Sequence, residues 1–181
     1  LASGQSNMWW PLRETDHAQE DIADASYPDL RLCTIECAVA PEPKDDCNVT
    51  WNTCTPESAQ GFSAVGFLFG RELRKALNCP IGIINSSWPG TPIEAWTSRA
   101  TLEADPEYRR TIVEASDSVV ADFPRVRAVY EEAMAQWQHA SEHAKADGQP
   151  EPPQPAYDHA TLADHWQVGR LFNAMIHPLI P

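Results

Sequence analysis

The run Ile81-Gly82-Ile83-Ile84 is too apolar for a strand with one wet face, and it comes directly after a segment patterned as a helix. Such a strand belongs inside a parallel sheet covered on both sides. In the preceding helix Ser63 is placed to cap the start, and Val65, Phe69, Leu73 and Leu77, joined by Leu68 and Ala76, form an apolar stripe. Asn78 and Pro80 end it. A helix followed by a buried strand is half of a repeating α/β unit, so the fold class expected is α/β with a parallel sheet. Residues 30 to 39 alternate well enough for another strand, and the Pro-, Asp- and Asn-rich stretch from 40 to 57 reads as a loop.

After the buried strand, Ser-Ser-Trp-Pro-Gly makes a turn into a segment with Thr91 at an N-cap position, Pro92 at the first helical position and Glu94 at the third. This spells a capping box, which assigns Glu94 a structural part rather than that of a catalytic acid. Residues 105 to 147 are long, acidic and helical in pattern, interrupted by Pro124, with Val126, Val129, Tyr130, Ala133, Trp137 and Ala140 on one stripe. Four stretches follow: 1–104 as the first part of the core, 105–147 as a helical insertion or lid, 148–158 as a Pro-rich linker, and 159–181 as a return to the core.

With 26 acidic against 13 basic residues, the formal charge of -13 repels phosphate backbones and anionic membrane surfaces. Nucleic acid is excluded as a partner on that ground, and the lack of any long apolar run leaves no membrane span. Four of the five cysteines, Cys33, Cys37, Cys47 and Cys54, cluster in sequence at spacings that fit neither a zinc ribbon nor a redox pair. One or two local disulfides, and with them an oxidising compartment (secreted, periplasmic or lysosomal), are the economical expectation; small buried thiols are the alternative. Asn48-Val49-Thr50 is a glycosylation acceptor pattern, and Asn85-Ser86-Ser87 is a second that the buried strand should hide.

Two patterns could carry chemistry. In "LASGQSNMWW" a serine follows Gly4-Gln5 where a strand gives way to a turn, a placement that exposes a hydroxyl beside backbone N–H groups able to hold an oxyanion. The second glycine of the GxSxG elbow is missing. In "HASEH", His139 and His143 stand one helical turn apart with Glu142 between them, a zinc-protease pattern without an evident third ligand and only a remote alternative; a solvated helix face is the simpler explanation. His17, His159 and His165 read as exposed polar residues. Trp88, Trp96 and Trp9 suit either a sugar-binding cleft or a core.

The blocks "GQSNM", "FSAVGFLFGRELRKAL", "IGIINSSWPGTPIEAW", "TLEADPE" and "FNAMIHPLIP", in that order, resemble the sialate O-acetylesterase family of SGNH-type hydrolases. The resemblance implies a three-layer, parallel-sheet SGNH-hydrolase-like core, incomplete in this chain, carrying a long helical insertion. It implies a serine esterase removing acetyl groups from carbohydrates, sialic acid or plant-type glycans such as xylan, without metal or organic cofactor. Ser6 would be the nucleophile and its N–H one oxyanion donor. Relatives often have two glycines where Pro89-Gly90 stands here, and proline has no N–H, so Gly90 would be the other donor.

Family members carry a Gln-Gly-Glu block and an Asp-x-His block later in the chain, and neither is found in these 181 residues. His177 matches a non-catalytic position of "MIHPLIP". The resemblance therefore implies a partner, namely the remainder of the polypeptide or a second chain, that supplies the base, and it implies little activity without it. A non-catalytic glycan-binding or structural subunit of the same fold is the competing expectation.

Overall fold

Strand β4 (Ile81–Ser87) is the centre of the sheet, as its double-sided apolar pattern requires. In a computed structural model, which describes residues 1–156 and 164–181, it lies between β1 (Ala2–Gly4) and β2 (Tyr27–Thr34), parallel to both. The registers are Gly4 against Ser87 and Leu32 against Ile83. A fourth strand, β3 (Asn52–Cys54), closes the order β1-β4-β2-β3 and runs antiparallel to β2. That strand corrects the loop expected from 40 to 57. The β2 strand also starts earlier and stops sooner than residues 30 to 39. Its register slips between Tyr27 and Arg31, around Pro28, which has no N–H to give the ladder.

Four helices accompany these strands: α1 (Ser6–Trp9), α2 (Ala18–Ala23), α3 (Pro56–Gln60) and α4 (Ala64–Leu77). The ends of α4 follow the sequence signals. Ser63 Oγ accepts from Gly66 N–H at 3.0 Å, and Asn78 terminates the helix in the left-handed region at φ 48°. Its buried face does not. Val65, Phe69 and Leu77 are exposed, whereas Ala64, Gly66, Phe67 and Gly70 meet the sheet. The reason is distance: a Cβ on Gly70 would stand 2.7 Å from Ile83 Cγ1, so the axis approaches β4 closer than a row of larger side chains allows. Arg71 to Asp21 (2.6 Å) and Arg74 to Asp29 (2.7 Å) then fasten α4 to α2 and to β2.

Leu30, Leu32 and Ile83 pack with Phe67 on this face. Cys33 and Ile84 point to the opposite one, where they meet Leu171, Ala174 and Met175. This second layer is built from short turns, Ile93–Trp96 and Phe172–Ile176, rather than long helices. Ser86 Oγ donates to Met175 O (2.8 Å) to anchor it. Asn173 Nδ2 donates to the carbonyls of Ala40 and Pro41, tying down the loop after β2. All five cysteines are free thiols, which corrects the expected disulfides. Burial raises the thiols of Cys33, Cys37, Cys47 and Cys54 above their ordinary value. The oxidising compartment inferred from disulfides loses that support.

The chain divides into two compact units, Leu1–Ser98 with Gly169–Pro181, and Arg99–Val168. The second holds α5 (Arg99–Ala104), α6 (Pro106–Tyr108), a π-helical stretch Arg109–Val113 and α7 (Glu114–Ala146). Helix α7 runs through Pro124 without ending there, and Val129 on the expected stripe is exposed. The Pro-rich segment turns back along α7: Trp137 Nε1 donates to Pro152 O (2.8 Å) and Ser141 Oγ to Glu151 Oε2 (2.7 Å). No described helix is long and apolar enough to cross a membrane.

Candidate active site

Ser6 sits where β1 ends and α1 begins, at the carboxyl end of the parallel strands, the end at which open α/β sheets place ligands. It is half-buried rather than packed in the core. The β1–β4 pairing carries one step beyond the strands, since Trp88 N–H donates to Gly4 O at 3.1 Å. Two residues past that bond the chains reach Ser6 on one side and Gly90 on the other. The nucleophile candidate and the 88–91 turn thus leave adjacent strands at the same level.

Gly90 has φ +72°, a conformation that favours glycine, and a Cβ there would meet nothing within 4 Å. Backbone geometry, not crowding, accounts for glycine at this position. Among the described residues its N–H has no acceptor. A hollow of about 280 Å³ opens beside the turn, lined by Ser3, Gly4, Gln5, Thr91, Ile93 and Trp96. It carries no ionisable side chain.

Gln5 is the residue that sequence reasoning missed. Its Oε1 accepts both from Ser6 N–H (2.9 Å) and from Ser6 Oγ–H (2.7 Å), so the expected oxyanion donor and the expected nucleophile share one acceptor. The only hint in the sequence is an amide side chain directly before the serine. Gln5 also accepts at its own carbonyl from Met8 and Trp9 N–H, which holds the first turn of α1.

The expected capping box at 91–94 does not form. Residues Ile93–Trp96 make a 3-10 turn with Pro92 in the cap position and no side-chain cap bond. Thr91 Oγ1 donates instead to Trp88 O (2.7 Å) and accepts from Trp96 Nε1 (2.8 Å), bracing the glycine turn from its far side. A threonine between two tryptophans has better partners than a helix that never elongates. Trp88 is half-buried against the second core layer, and Trp9 lies on α1 with 37% of its surface exposed. Neither lines the hollow; Trp96 does.

No histidine is bonded to Ser6 among the described residues. His177 Nδ1 stands 3.0 Å from Lys44 O, and because a carbonyl only accepts, that nitrogen carries the proton and the ring is fixed there. His17 faces Glu20 at 4.0 Å. The His139 and His143 rings lie tilted to each other on α7 with their centres 4.5 Å apart, and the described residues include no cluster of three or more metal-ligating side chains. The zinc pattern therefore has two ligands at most in this set. His159 lies outside the described residues.

No family model matches the chain. The sialate O-acetylesterases of Rattus norvegicus and Homo sapiens are each 38% identical to it over 113 residues, 58% of this chain. The chain carries a partial sialate O-acetylesterase-like domain. It spans 21% of the rat relative's length and 22% of the human one's. A carbohydrate acetylesterase of Xanthomonas citri has a crystal structure that superposes with a TM-score of 0.64 at 25% identity. That match covers 98% of this chain and 28% of the other. The sialate O-acetylesterase-like part is thus an incomplete α/β core of the SGNH kind, with a mixed four-stranded sheet.

Proposed function

We propose that this chain is the nucleophile-bearing part of a serine esterase that removes O-acetyl groups from carbohydrates. The observation that carries the reading is the placement of Ser6 at the end of β1, level with a glycine turn whose N–H has no described acceptor and beside an uncharged hollow. An acetyl group is small and uncharged, as that hollow requires. The named activities of the relatives support the same chemistry.

In this mechanism a histidine supplied by the remainder of the polypeptide or by a second chain takes the Ser6 proton as Oγ attacks the acetyl carbonyl carbon. The carbonyl oxygen becomes an oxyanion, held by Ser6 N–H and Gly90 N–H. The sugar hydroxyl departs with a proton, leaving acetyl-Ser6, and water then releases acetate by the same route. Both Ser6 groups must first leave Gln5 Oε1. Gln5 thus acts as a stand-in acceptor, occupying the donor that the oxyanion will use.

The test is active-serine labelling of the complete protein with a fluorophosphonate. The reading expects a single adduct on Ser6, and loss of both adduct and acetate release in Ser6→Ala. An unmodified Ser6 in a protein that still binds glycans would establish a non-catalytic binding subunit instead. Residues 1–181 alone should turn over p-nitrophenyl acetate several orders of magnitude more slowly than the complete protein, because a serine without its base is a weak nucleophile.

A further inference from the structure

Near its end, helix α7 has two faces of different character. Trp137 and Ser141 lie on the one that the returning Pro-rich segment covers, through Pro152 O and Glu151 Oε2. At about 100° per residue, His139 and His143 fall roughly half a turn round from that pair, and both are exposed. Four residues separate the two histidines, so one stands directly above the other on the helix surface. Their ring centres are 4.5 Å apart and their planes meet at 59°, which is contact without parallel stacking.

That separation fits two imidazoles facing one ion. A histidine nitrogen sits about 2.0–2.1 Å from a bound transition metal, which puts each ring centre about 3.2 Å from the ion. Two rings at a right angle then have centres roughly 4.5 Å apart, and two at the tetrahedral angle roughly 5.2 Å. The right angle belongs to tetragonal and octahedral ions, among which copper(II) and nickel(II) favour nitrogen. Charge agrees with the geometry. Between residues 135 and 147 Lys145 is the only lysine or arginine, and its ammonium meets Glu151 at 3.3 Å, beside the covered face. Glu142 and Asp147 are carboxylates of the same stretch, in a chain of net charge -13.

We infer that His139 and His143 form a two-histidine chelating site for a divalent transition metal, copper(II) foremost and nickel(II) next, with water in the remaining positions. Two protein ligands fall short of the three that hold a catalytic zinc, so the site does not revive the protease pattern. It lies wholly within the second unit and is independent of the esterase reading. Both rings reach one ion only when they stand one helical turn apart, so the ion binds the helix far better than the unfolded chain. Binding therefore clamps the last turns of α7, the same turns that hold Pro152 and Glu151 on their other side.

The experiment is calorimetric titration of the complete protein with nickel chloride, then with copper and zinc chlorides, on wild type, His139→Ala, His143→Ala and the double variant. Cys79 is alkylated first, since an exposed thiol competes for metal. Alanine is the better helix former, so the variants keep α7 folded, which circular dichroism checks. Wild type should bind one nickel ion that the double variant lacks. Each single variant should weaken that binding about tenfold or more, because a chelate loses its second arm. Copper should bind tighter than zinc, and saturating nickel should raise the melting temperature of wild type but not of the double variant. Equal nickel binding by wild type and double variant would overturn the site. So would a loss of only about twofold in each single variant, the statistical result for two independent imidazoles, or zinc binding tighter than copper. None of these readouts involves ester hydrolysis, so they stand apart from the labelling of Ser6.

Discussion

Replacing Gly70 by alanine tests the claim that close approach of α4 to the sheet sets the fold. Helix propensity alone favours the change by about 1 kcal/mol, because glycine is the poorer residue in a helix interior. The structure opposes it. The added methyl would stand 2.7 Å from Ile83 Cγ1 and 3.1 Å from Leu30 Cδ1, and both neighbours are buried side chains with little room to retreat. Overpacking of that kind costs about 1–3 kcal/mol, so the net effect should be a loss of up to about 2 kcal/mol. Urea unfolding followed by circular dichroism should show the midpoint falling with little change in slope. The decisive control is the double variant Gly70→Ala with Ile83→Ala. Removing the Ile83 side chain opens space for the methyl, so alanine at 70 should there be neutral or stabilising, and the cycle strongly non-additive. A Gly70→Ala protein more stable than wild type, or effects that simply add, would refute the argument.

Three further outcomes follow from the same contacts. The Arg99 guanidinium holds the Asp117 carboxylate below its ordinary value, so their pairing stabilises above pH ~4 and is lost as pH falls through the depressed value. Asp117→Asn should then be less stable at neutral pH, by at most about 1 kcal/mol for so exposed a pair, and equal to wild type in strong acid; acid titration of stability decides it. Iodoacetamide at pH 8 should alkylate exposed Cys79 well before Cys33, Cys37, Cys47 and Cys54, whose thiols burial keeps protonated; mass mapping of the adducts gives the order. Thr91→Val should leave Trp96 Nε1 without its acceptor and cost about 1–3 kcal/mol, with a shift in tryptophan emission as the readout.

The ends of α4 could be read from Ser63 and Asn78 because caps are local chemistry, decided within one turn. Its buried face could not. Val65, Phe69 and Leu77 are as apolar as Phe67, and hydropathy does not register that Gly66 and Gly70 permit a close approach. The β3 strand was hidden by a different cause: three residues in a polar stretch become a strand through pairing with β2, a partner far from them in sequence. The same division holds at the site. Ser6 stood out by its block, whereas its capture by Gln5 and the bracing of the glycine turn by Thr91 depend on side-chain partners that no spacing reveals.

The return of the Pro-rich segment along α7 makes the second unit intolerant of length changes at its tip. Trp137 reaches Pro152, Ser141 reaches Glu151 and Gln154 reaches Met134, so helix and returning segment are locked in one phase. Insertion or deletion of a single residue near Gly148 would slide every contact out of step at once. Variation in this unit should therefore take the form of substitutions, with its loop length held constant.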